Sequence, residues 1–451
     1  MTGRPGVYIE TYGCQMNEYD SDLVRSILVE SGYELVPDEN RAQVILLNTC
    51  AVRENAHKRI YGRLQQLKAV RAKRPYPVTL GILGCMAQNL RRELLDTHHD
   101  IDFIAGPDSY RRLPGLIARS RESAEKGLAL ELSRTETYSG VDPIRGAGVN
   151  AWLAVMRGCD NMCSFCVVPY TRGRERSRDP EGILAEVESL VRDGFKQVTL
   201  LGQNVNSYRH GSTRFADLVE RVADVPGIER VRFTAPHPKD FPKPLLDVIA
   251  GHPRVCRHIH LPLQAGSNRM LDIMRRTYTI EELKNLVGAI RGRIPGVSIS
   301  TDVIVGFSGE SDAEFEDTYR AMEEIRFDFA FIFKYSERKG TYAARKLPDD
   351  VAPAVKTERI VRLVELQKQI TGEINQTYVG TTVEVLVEDE PKKYPGMLAG
   401  RTETFKNTIF PRGNVRIGDL VRVTVARSRG SGLFGYVAGD AVGDEGNVCA
   451  G

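Results

Sequence analysis

Short apolar runs alternate with amphipathic stretches along most of the chain, a pattern that predicts parallel sheets built from strand–helix–strand units. Between about residues 5 and 120, the runs GVYIETYGC, QVILLNTC and VTLGILGC each have the character of a buried strand that ends in a cysteine. Amphipathic stretches separate these runs, including one from about Glu54 to Lys73. The polar, Gly-rich segment from 120 to 150 suits a linker or the edge of a sheet.

The alternation resumes between Trp152 and about Phe333 and gives six further strand candidates. These are WLAVM, QVTLLG, RVRFTA, HIHLPL, VSISTDVIVGF and FAFIFKY. Parallel strands with crossover helices between them predict an open, partial (β/α)6 barrel. In such barrels the active site collects at the C-terminal ends of the strands, and Cys159 follows the first strand at that end.

The last part of the chain changes character twice. A helix is predicted from about Ala354 to Gln376, where an apolar stripe at helical spacing would pack against the barrel. From about Thr377 short alternating strands indicate a small β-barrel. The predicted fold class is α/β, with an N-terminal parallel-sheet domain at 5–121, the partial barrel at 145–376 and the small β-barrel at 377–443.

Composition agrees with this organisation, since 451 residues suffice for about three domains. The 41% hydrophobic and 27% charged residues are ordinary for a soluble globular protein. No apolar run approaches the roughly 20 residues that span a bilayer, and the N-terminus MTGRPGVYIETYG lacks the basic and apolar regions of a secretory signal. A cytoplasmic location is therefore predicted, where the eight cysteines stay reduced. The net charge of +3 neither requires nor excludes a nucleic-acid partner.

Three cysteines, Cys159, Cys163 and Cys166, lie within eight residues of one another. Their Cys-x-x-x-Cys-x-x-Cys spacing supplies three thiolates to one 4Fe–4S cluster and leaves one iron open to bind the amine and carboxylate of S-adenosylmethionine (SAM). Zinc sites take four ligands in paired knuckles, and bacterial ferredoxins have a two-residue first gap. Disulfides are not expected in a chain without a signal peptide. The spacing therefore favours a radical-SAM cluster, with Phe165 placed to cover the cluster or the adenine of the cofactor.

A second set of cysteines, Cys14, Cys50 and Cys85, is spread widely along the chain. Taken alone, each is best interpreted as a small buried hydrophobe. Each also ends a predicted strand of one sheet, however, and parallel strands end at the same edge, where ligands collect. Three thiols at one edge indicate a second 4Fe–4S cluster with an open iron. Cys256 and Cys449 have no such companions and are interpreted as structural or incidental.

The motifs around these cysteines resemble those of radical-SAM methylthiotransferases, and the resemblance covers nearly the whole chain. The segments concerned are TYGCQMNEYDS, NTCAVRENAHKR and CVVPYTRGRERSR. After Cys14 the chain carries Gln15, Met16 and Asn17, and at these positions it resembles the members that act on dimethylallyl-adenosine. Members acting on threonylcarbamoyl-adenosine tend to carry lysine-valine-asparagine there, and those acting on a ribosomal-protein aspartate tend to carry proline-lysine-asparagine.

The resemblance implies a methylthiotransferase N-terminal domain, a radical-SAM core and a C-terminal TRAM domain. It implies that the core cysteines, Cys159, Cys163 and Cys166, hold the SAM-cleaving 4Fe–4S cluster. The auxiliary cysteines, Cys14, Cys50 and Cys85, would hold an auxiliary 4Fe–4S cluster that delivers sulfur. One SAM would provide a methyl group and a second a radical that removes hydrogen from C2 of the modified adenine beside the anticodon. The cofactor carries this chemistry because an aromatic C–H is not acidic enough for a protein base.

Polar residues at the predicted strand ends are candidates for SAM contacts. Each could equally be a loop or capping residue. The candidates are Gln203, Asn204, Gln264, Asp302 and Arg178.

Basic residues occur in two places that could meet RNA. Four follow the core cysteines closely, at Arg172, Arg174, Arg176 and Arg178. Such a run is commonly a solvated face, but its position favours phosphate or substrate contact for some members. In the last domain, basic residues alternate with phenylalanines, which suits RNA binding, although most of the phenylalanines are expected to fill the barrel. These residues are Arg401, Lys406, Arg412, Arg416, Arg427, Arg429, Phe405, Phe410 and Phe434.

The implied partners are a tRNA anticodon loop, a low-potential electron donor of the flavodoxin or ferredoxin type and an unidentified sulfur source, with no membrane. Two alternatives stay open. One is methylthiolation of another tRNA adenosine or of a ribosomal-protein aspartate. The other is a non-enzymatic, RNA-binding Fe–S sensor, against which the full β/α barrel argues.

Overall fold

The computed structural model describes residues 4–51, 54–123 and 125–439. Cys449 and the last residues of the predicted 377–443 domain lie outside these ranges. A parallel sheet, a partial barrel of parallel strands and a closed β-barrel follow one another along the chain, which confirms the predicted α/β class. No helix within the described ranges is long and apolar enough to cross a membrane.

The N-terminal part is a six-stranded parallel sheet with helices on its faces. Its elements are β1 Gly6–Tyr12, α1 Gln15–Glu30, β2 Glu34–Leu35, β3 Val44–Thr49, α2 Glu54–Ala72, β4 Thr79–Gly84, α3 Cys85–Leu90, α4 Arg92–Thr97, β5 Phe103–Ala105, α5 Leu113–Glu122 and β6 Gly127–Ala129. The strand order is β2-β1-β3-β4-β5-β6. The central strands β3 and β4 are buried along their whole length, as parallel strands covered on both faces are.

The segment predicted as a linker or sheet edge contributes both. β6 pairs with β5 as the last strand of the sheet. Beyond it the chain has no further strand until 150, but Tyr138 is buried against the N-terminal core, and its hydroxyl donates to the carbonyl of Pro107 at 2.8 Å. The connection is therefore fixed to the sheet.

The middle part contains the six strands predicted from the apolar runs. Its elements are β7 Asn150–Ala154, β8 Met156–Arg157, α6 Val168–Arg172, β9 Arg176–Ser177, α7 Pro180–Arg192, β10 Gln197–Leu201, β11 Arg209–His210, β12 Thr213–Arg214, α8 Phe215–Asp224, β13 Arg230–Phe233, α9 Lys243–Gly251, β14 His258–His260, α10 Asn268–Ile273, α11 Ile280–Arg293, β15 Ser298–Val305, α12 Asp312–Ile325, β16 Phe329–Lys334, α13 Tyr342–Lys346 and α14 Pro353–Gln376.

The six long strands of this part form two parallel three-stranded sheets, β13-β10-β7 and β14-β15-β16. A parallel bridge between Val231 and Val255 joins them at β13. The curved sheet is open between its edge strands β7 and β16, which is the predicted partial barrel. Leu363 and Ile370 of α14 are buried in the core of this barrel, which confirms the packing predicted for the apolar stripe.

The C-terminal part is a closed five-stranded barrel in the order β17-β18-β19-β21-β20. Its strands are β17 Thr382–Asp389, β18 Met397–Thr402, β19 Asn407–Pro411, β20 Leu420–Arg429 and β21 Gly432–Val437. The loop from Thr402 to Lys406 reaches the partial barrel at the N-terminal ends of its strands. Phe405 stacks on His258 with ring centroids 4.7 Å apart, and Arg232 donates to the carbonyl of Thr402 at 2.6 Å. The C-terminal barrel thus closes one end of the partial barrel.

Candidate active site

The auxiliary cysteines lie at the C-terminal ends of three neighbouring strands. Thr49 of β3 pairs with Tyr12 of β1 and with Gly84 of β4. Cys50 and Cys85 each follow directly after their strands, and Cys14 lies two residues beyond Tyr12. The parallel register therefore brings three thiols that are distant in sequence to one edge of the sheet.

A buried hydrogen-bond network holds this edge together. Asn17 and Asn48 are fully buried, and the Asn48 amide donates to the Asn17 carbonyl and to the Ser21 hydroxyl, each at 2.9 Å. The Oδ1 atom of Asn17 accepts from the Cys14 thiol at 3.4 Å. Gly84 has a φ of +88°, and a Cβ there would lie 2.4 Å from Oδ1 of Asn48, so only glycine fits before Cys85.

The auxiliary thiols differ in acidity. The pKa of Cys14 is lowered to about 6, chiefly by a hydrogen bond from Cys50 and further by the charge of Arg172. Burial raises the pKa of Cys85, while the charge of Arg172 opposes this effect. Thiolates are the ligands of iron–sulfur clusters, so this edge offers three donors of the required chemistry.

The core cysteines occupy the loop after β8. Gly158 has a φ of +81°, and a Cβ there would lie 2.0 Å from the carbonyl oxygen of Arg174, so the turn into Cys159 requires glycine. The amide of Gly158 donates to Oε1 of Gln203 at 2.6 Å, and the amide of Cys159 donates to the carbonyl of Gly173 at 3.1 Å. These contacts fix the loop against the ends of neighbouring elements.

Burial raises the pKa of both Cys159 and Cys166 to about 12. Metal binding here would therefore displace protons from the thiols. Arg276, which was not identified from sequence, donates from Nη1 to the sulfur of Cys163 at 3.2 Å. Its Nε lies 3.2 Å from the hydroxyl of Tyr278, which in turn donates to the carbonyl of Pro262 at 2.7 Å.

Helix α6 connects the two cysteine sets. It begins two residues after Cys166 and packs against α3, the helix that starts with Cys85. Val167 and Cys85 lie in the same buried apolar cluster. The core and auxiliary cysteines are therefore neighbours across one short helix.

Within the described ranges, no three His, Cys, Asp or Glu side chains form a group that could hold a single metal ion. A 4Fe–4S cluster makes a wider demand, because each thiolate binds a different iron of the cubane. The assignment of such clusters to the two cysteine sets stays a prediction.

The polar residues predicted at strand ends occupy different environments. Oδ1 of Asn204 and Oε1 of Gln264 are buried without a hydrogen-bond partner among the described residues. Unpaired buried acceptors suit a ligand that brings N–H or O–H donors, as the amine and ribose of SAM would. Asp302 accepts from His260 at 3.0 Å if the facing ring nitrogen carries the proton, and Gln203 is already bonded to the Gly158 amide.

Arg178 is buried, and two of its guanidinium nitrogens form hydrogen bonds to protein groups, while its Nε has no partner among the described residues. Nη1 donates to the Tyr19 hydroxyl at 2.9 Å and to the Ala154 carbonyl at 2.8 Å, and Nη2 donates to Glu186 at 2.7 Å. A SAM contact by Arg178 stays a prediction.

The arginine run is mostly internal. Arg172, Arg176 and Arg178 are all buried, whereas Arg174 is exposed and lies 3.4 Å from Asp160. The motif that carries these residues has no apolar pattern, so sequence alone could not show that three of its four arginines face the interior.

The basic and aromatic residues of the C-terminal barrel also divide by location. Phe410 and Phe434 are buried in that barrel, as expected for most of its phenylalanines. Lys406 is buried and its ammonium lies 2.6 Å from Asp328, so it holds the two barrels together. Arg412 and Arg416 are exposed, and the guanidinium of Arg412 pairs with the carboxylate of Glu390.

An aromatic surface inside the partial barrel was not identified from sequence. Phe331 and Phe333 of the edge strand β16 are 52% and 46% exposed. Ala330 and Ile332, which alternate with them, pack against the core on the other face. Phe331 pairs in register with Asp302, and its ring lies 6.0 Å from that of His260, so both phenylalanines face the interior of the barrel. The signal was present in FAFIFKY, where both faces of a strand are apolar.

A partial parallel barrel whose first strand leads into a buried Cys-x-x-x-Cys-x-x-Cys loop defines the class of radical-SAM enzymes. Three known families match the chain in the order of its three parts. They are "Uncharacterized protein family UPF0004" at residues 6–106, the Radical SAM superfamily at 153–322 and the TRAM domain at 376–438.

Curated relatives match almost the entire chain. A protein from Prosthecochloris aestuarii is 47% identical over 431 residues, which cover 95% of this chain and 97% of the relative. One from Porphyromonas gingivalis is 46% identical, with 96% and 94% covered. Both are named tRNA-2-methylthio-N(6)-dimethylallyladenosine synthase. The chain therefore belongs to this family of radical-SAM tRNA methylthiotransferases, and membership implies 4Fe–4S clusters and SAM as cofactors.

Solved structures share the fold at low sequence identity. The radical SAM methyltransferase TsrM from Kitasatospora setae, with cobalamin and a [4Fe-4S] cluster bound, is 15% identical with a TM-score of 0.56. The alignment covers 88% of this chain and 77% of that one. The cobalamin-dependent radical enzyme OxsB gives a TM-score of 0.53, with 82% and 56% covered.

Proposed function

We propose that this protein converts N(6)-dimethylallyladenosine beside the anticodon of tRNA into its 2-methylthio derivative. The observation that carries the proposal is the pair of cysteine sets at two sheet edges, which α6 brings together. Relatives that are 45–47% identical over nearly the whole chain carry the corresponding name. One set alone would suffice for radical generation, and a second set beside it suits the transfer of sulfur.

The cysteines fit two 4Fe–4S clusters, with the core cysteines ligating one and the auxiliary cysteines the other. When bound, these clusters and SAM supply a radical able to remove an unactivated hydrogen atom, together with the sulfur and methyl group for transfer. Arg276 would orient the thiolate of Cys163 and offset its charge. Asn204 and Gln264 would use their unpaired side-chain oxygens to bind SAM.

The substrate base would enter the open interior of the barrel. Phe331 and Phe333 present an aromatic surface there, which suits both the flat adenine and its apolar dimethylallyl group. A single-stranded anticodon loop releases a base for such stacking at modest cost. The C-terminal barrel closes the opposite end of the partial barrel, and its exposed Arg412 and Arg416 would contact the RNA backbone.

The remaining requirements follow from this chemistry. A low-potential electron donor of the flavodoxin or ferredoxin type would reduce the core cluster, and a separate sulfur source would renew the auxiliary one. Both partners and the tRNA would be met in the cytoplasm.

The test is turnover by anaerobically reconstituted enzyme. Prenylated tRNA, SAM and a reductant are supplied, and the digested tRNA is analysed by mass spectrometry. We expect 2-methylthio-N(6)-dimethylallyladenosine to accumulate, together with 5′-deoxyadenosine. Absence of the mark, or its appearance on a ribosomal-protein aspartate in a parallel assay, would contradict the proposed substrate.

A further inference from the structure

Arg172, the last residue of α6, is buried between the two cysteine sets. It is 2% exposed, and its Nη2 donates to Oδ2 of Asp20 at 2.8 Å. Its Nη1 is buried and has no hydrogen-bond partner among the described residues. A buried N–H without an acceptor is unfavourable, so a further acceptor is expected at this position.

Arg172 also belongs to a buried charge cluster with an excess of positive charge. Asp20 pairs with Arg157 at 2.9 Å and with Arg172 at 2.8 Å. Asp108 pairs with Arg176 at 2.9 Å and lies 3.9 Å from Arg157. Ion pairs in the described ranges thus join three guanidiniums to two carboxylates. An unpaired charge removed from water is costly, so the cluster requires one more anion.

The thiols of Cys14 and Cys85 are placed to supply that anion. Asp20, which accepts a hydrogen bond from Arg172, lies on α1, and Cys14 is the residue that caps the N-terminus of that helix. Helix α6 packs against α3, the helix that begins with Cys85. Helix α6 therefore begins just after Cys166 and packs beside the helices that carry Cys14 and Cys85.

We propose that Arg172 is a positioning residue for the auxiliary cluster: its guanidinium, held by Asp20, neutralises the cluster's negative charge and fixes it beside the core cysteines. This inference rests on the assignment of a cluster to Cys14, Cys50 and Cys85 in the proposed function. The auxiliary cluster would accept a hydrogen bond from the unpaired Nη1 of Arg172, and its negative charge would balance the excess positive charge of the buried arginines.

The test measures the reduction potential of the auxiliary cluster by itself. The full chain with all three core cysteines replaced by Ala is reconstituted anaerobically, and its potential is followed by electron paramagnetic resonance. In this parent, Arg172→Gln should shift the potential to more negative values, because a cation that stabilises the reduced cluster is lost. Asp20→Asn should shift it to more positive values, because an anion is lost. Arg174→Gln should leave the potential unchanged, since Arg174 is exposed on the same segment.

Turnover provides a second measurement in the enzyme with all six cysteines. Arg172→Gln should reduce methylthio product about tenfold or more, the usual effect of removing a group that orients metal ligands, while SAM cleavage persists. Equal potentials for Arg172→Gln, Asp20→Asn and Arg174→Gln would overturn the inference. Because the two expected shifts have opposite signs, either variant decides the question if the other does not fold. Failure of the unaltered enzyme to make product would contradict the proposed function instead, because the potentials are measured without turnover.

Discussion

Arginine side chains carry most of the positive charge around the two cysteine sets, and burial decides what each of them does. Arg276 contacts the sulfur of Cys163, Arg172 ends the helix that packs on α3 and is held by Asp20, and Arg174 remains in solvent. Guanidiniums suit this role because they stay charged when buried and donate in several directions. The sequence identified the thiols and the arginine run that follows them, but not Arg276, which comes from a distant part of the chain.

If the two cysteine sets have separate roles, a substitution in each set should abolish a different combination of SAM cleavage and sulfur insertion. Cys50→Ala should spare production of 5′-deoxyadenosine yet abolish sulfur insertion, because the core cysteines remain intact. Cys163→Ala should abolish both, since SAM cleavage depends on the core cluster. Chromatography of both products from the two variants makes the comparison, and equal loss of SAM cleavage would count against divided roles.

Arg276 should be required for SAM cleavage. Arg276→Leu removes the hydrogen bond to Cys163, and we expect cleavage to slow about tenfold or more, as is typical when a partner of a metal ligand is lost. The auxiliary cluster should be unaffected. Arg275→Leu is the control, because that exposed neighbour stacks on Tyr342 and not on a cysteine. Equal rates of SAM cleavage for Arg276→Leu and Arg275→Leu would show that cleavage does not depend on the contact between Arg276 and Cys163.

The aromatic surface inside the barrel should contribute to recognition of the prenylated base. Phe331→Ala is expected to lower kcat/KM for prenylated tRNA. The loss should correspond to about 1–3 kcal/mol of transition-state stabilisation, the usual contribution of an aromatic ring stacked on a base. Iron content should not change. Val361→Ala on α14 is a control at a position of similar exposure, 48% against 52%. An unchanged kcat/KM for Phe331→Ala would show that the base does not use this surface.

At the scale of elements, the site depends on where strands end and on which element comes next along the chain. Strand limits were predictable because buried parallel strands are continuous apolar runs that stop at a cysteine. Helix α6 was not predictable from sequence, because five residues that include a proline show too little periodicity to identify a helix. Yet α6 is the element that brings the two cysteine sets together.

The turn between β4 and α3 gives a prediction for stability. Gly84→Ala should destabilise the N-terminal sheet and displace Cys85, because the new Cβ would lie 2.4 Å from Oδ1 of Asn48 in a left-handed backbone conformation. Gly115→Ala in α5 meets nothing within 4 Å and should stabilise the same domain by about 0.5–1 kcal/mol. Thermal unfolding and iron content measure both effects, and a stable, fully loaded Gly84→Ala protein would contradict the steric argument.

At the scale of the whole molecule, the C-terminal barrel is part of the enzyme's core and not a loosely attached module. Phe405, Lys406 and the Thr402 carbonyl contact the N-terminal ends of the partial-barrel strands. Closing that end leaves the C-terminal ends of the strands, with the core cysteines, as the open side. Two basic or aromatic residues that sequence reasoning considered for RNA binding thus hold the domains together.

The buried pair Lys406–Asp328 should contribute strongly to this contact. Lys406→Met leaves the carboxylate buried without its cation, which typically costs about 3–5 kcal/mol, and should lower the unfolding temperature. The control is Lys284→Met, since Lys284 pairs with Glu324 at the same distance of 2.6 Å but in solvent. Exposed pairs contribute about 0–1 kcal/mol. Similar unfolding temperatures for both variants would mean that the domain contact does not depend on this pair.

The sequence by itself determined the three-part α/β architecture, the three strands that lead to the auxiliary cysteines, the six principal strands of the partial barrel and the candidate set of six cysteines. It could do so because apolar periodicity and cysteine spacing are local properties, and because parallel strands share the direction in which they end. Only the tertiary structure decided that the two cysteine sets are neighbours, that Arg172 and Arg176 point inward and that Phe331 and Phe333 face an open interior. Those facts depend on which surfaces meet after folding, and pairing between residues more than 100 positions apart, such as Arg172 and Asp20, leaves no pattern in a single sequence.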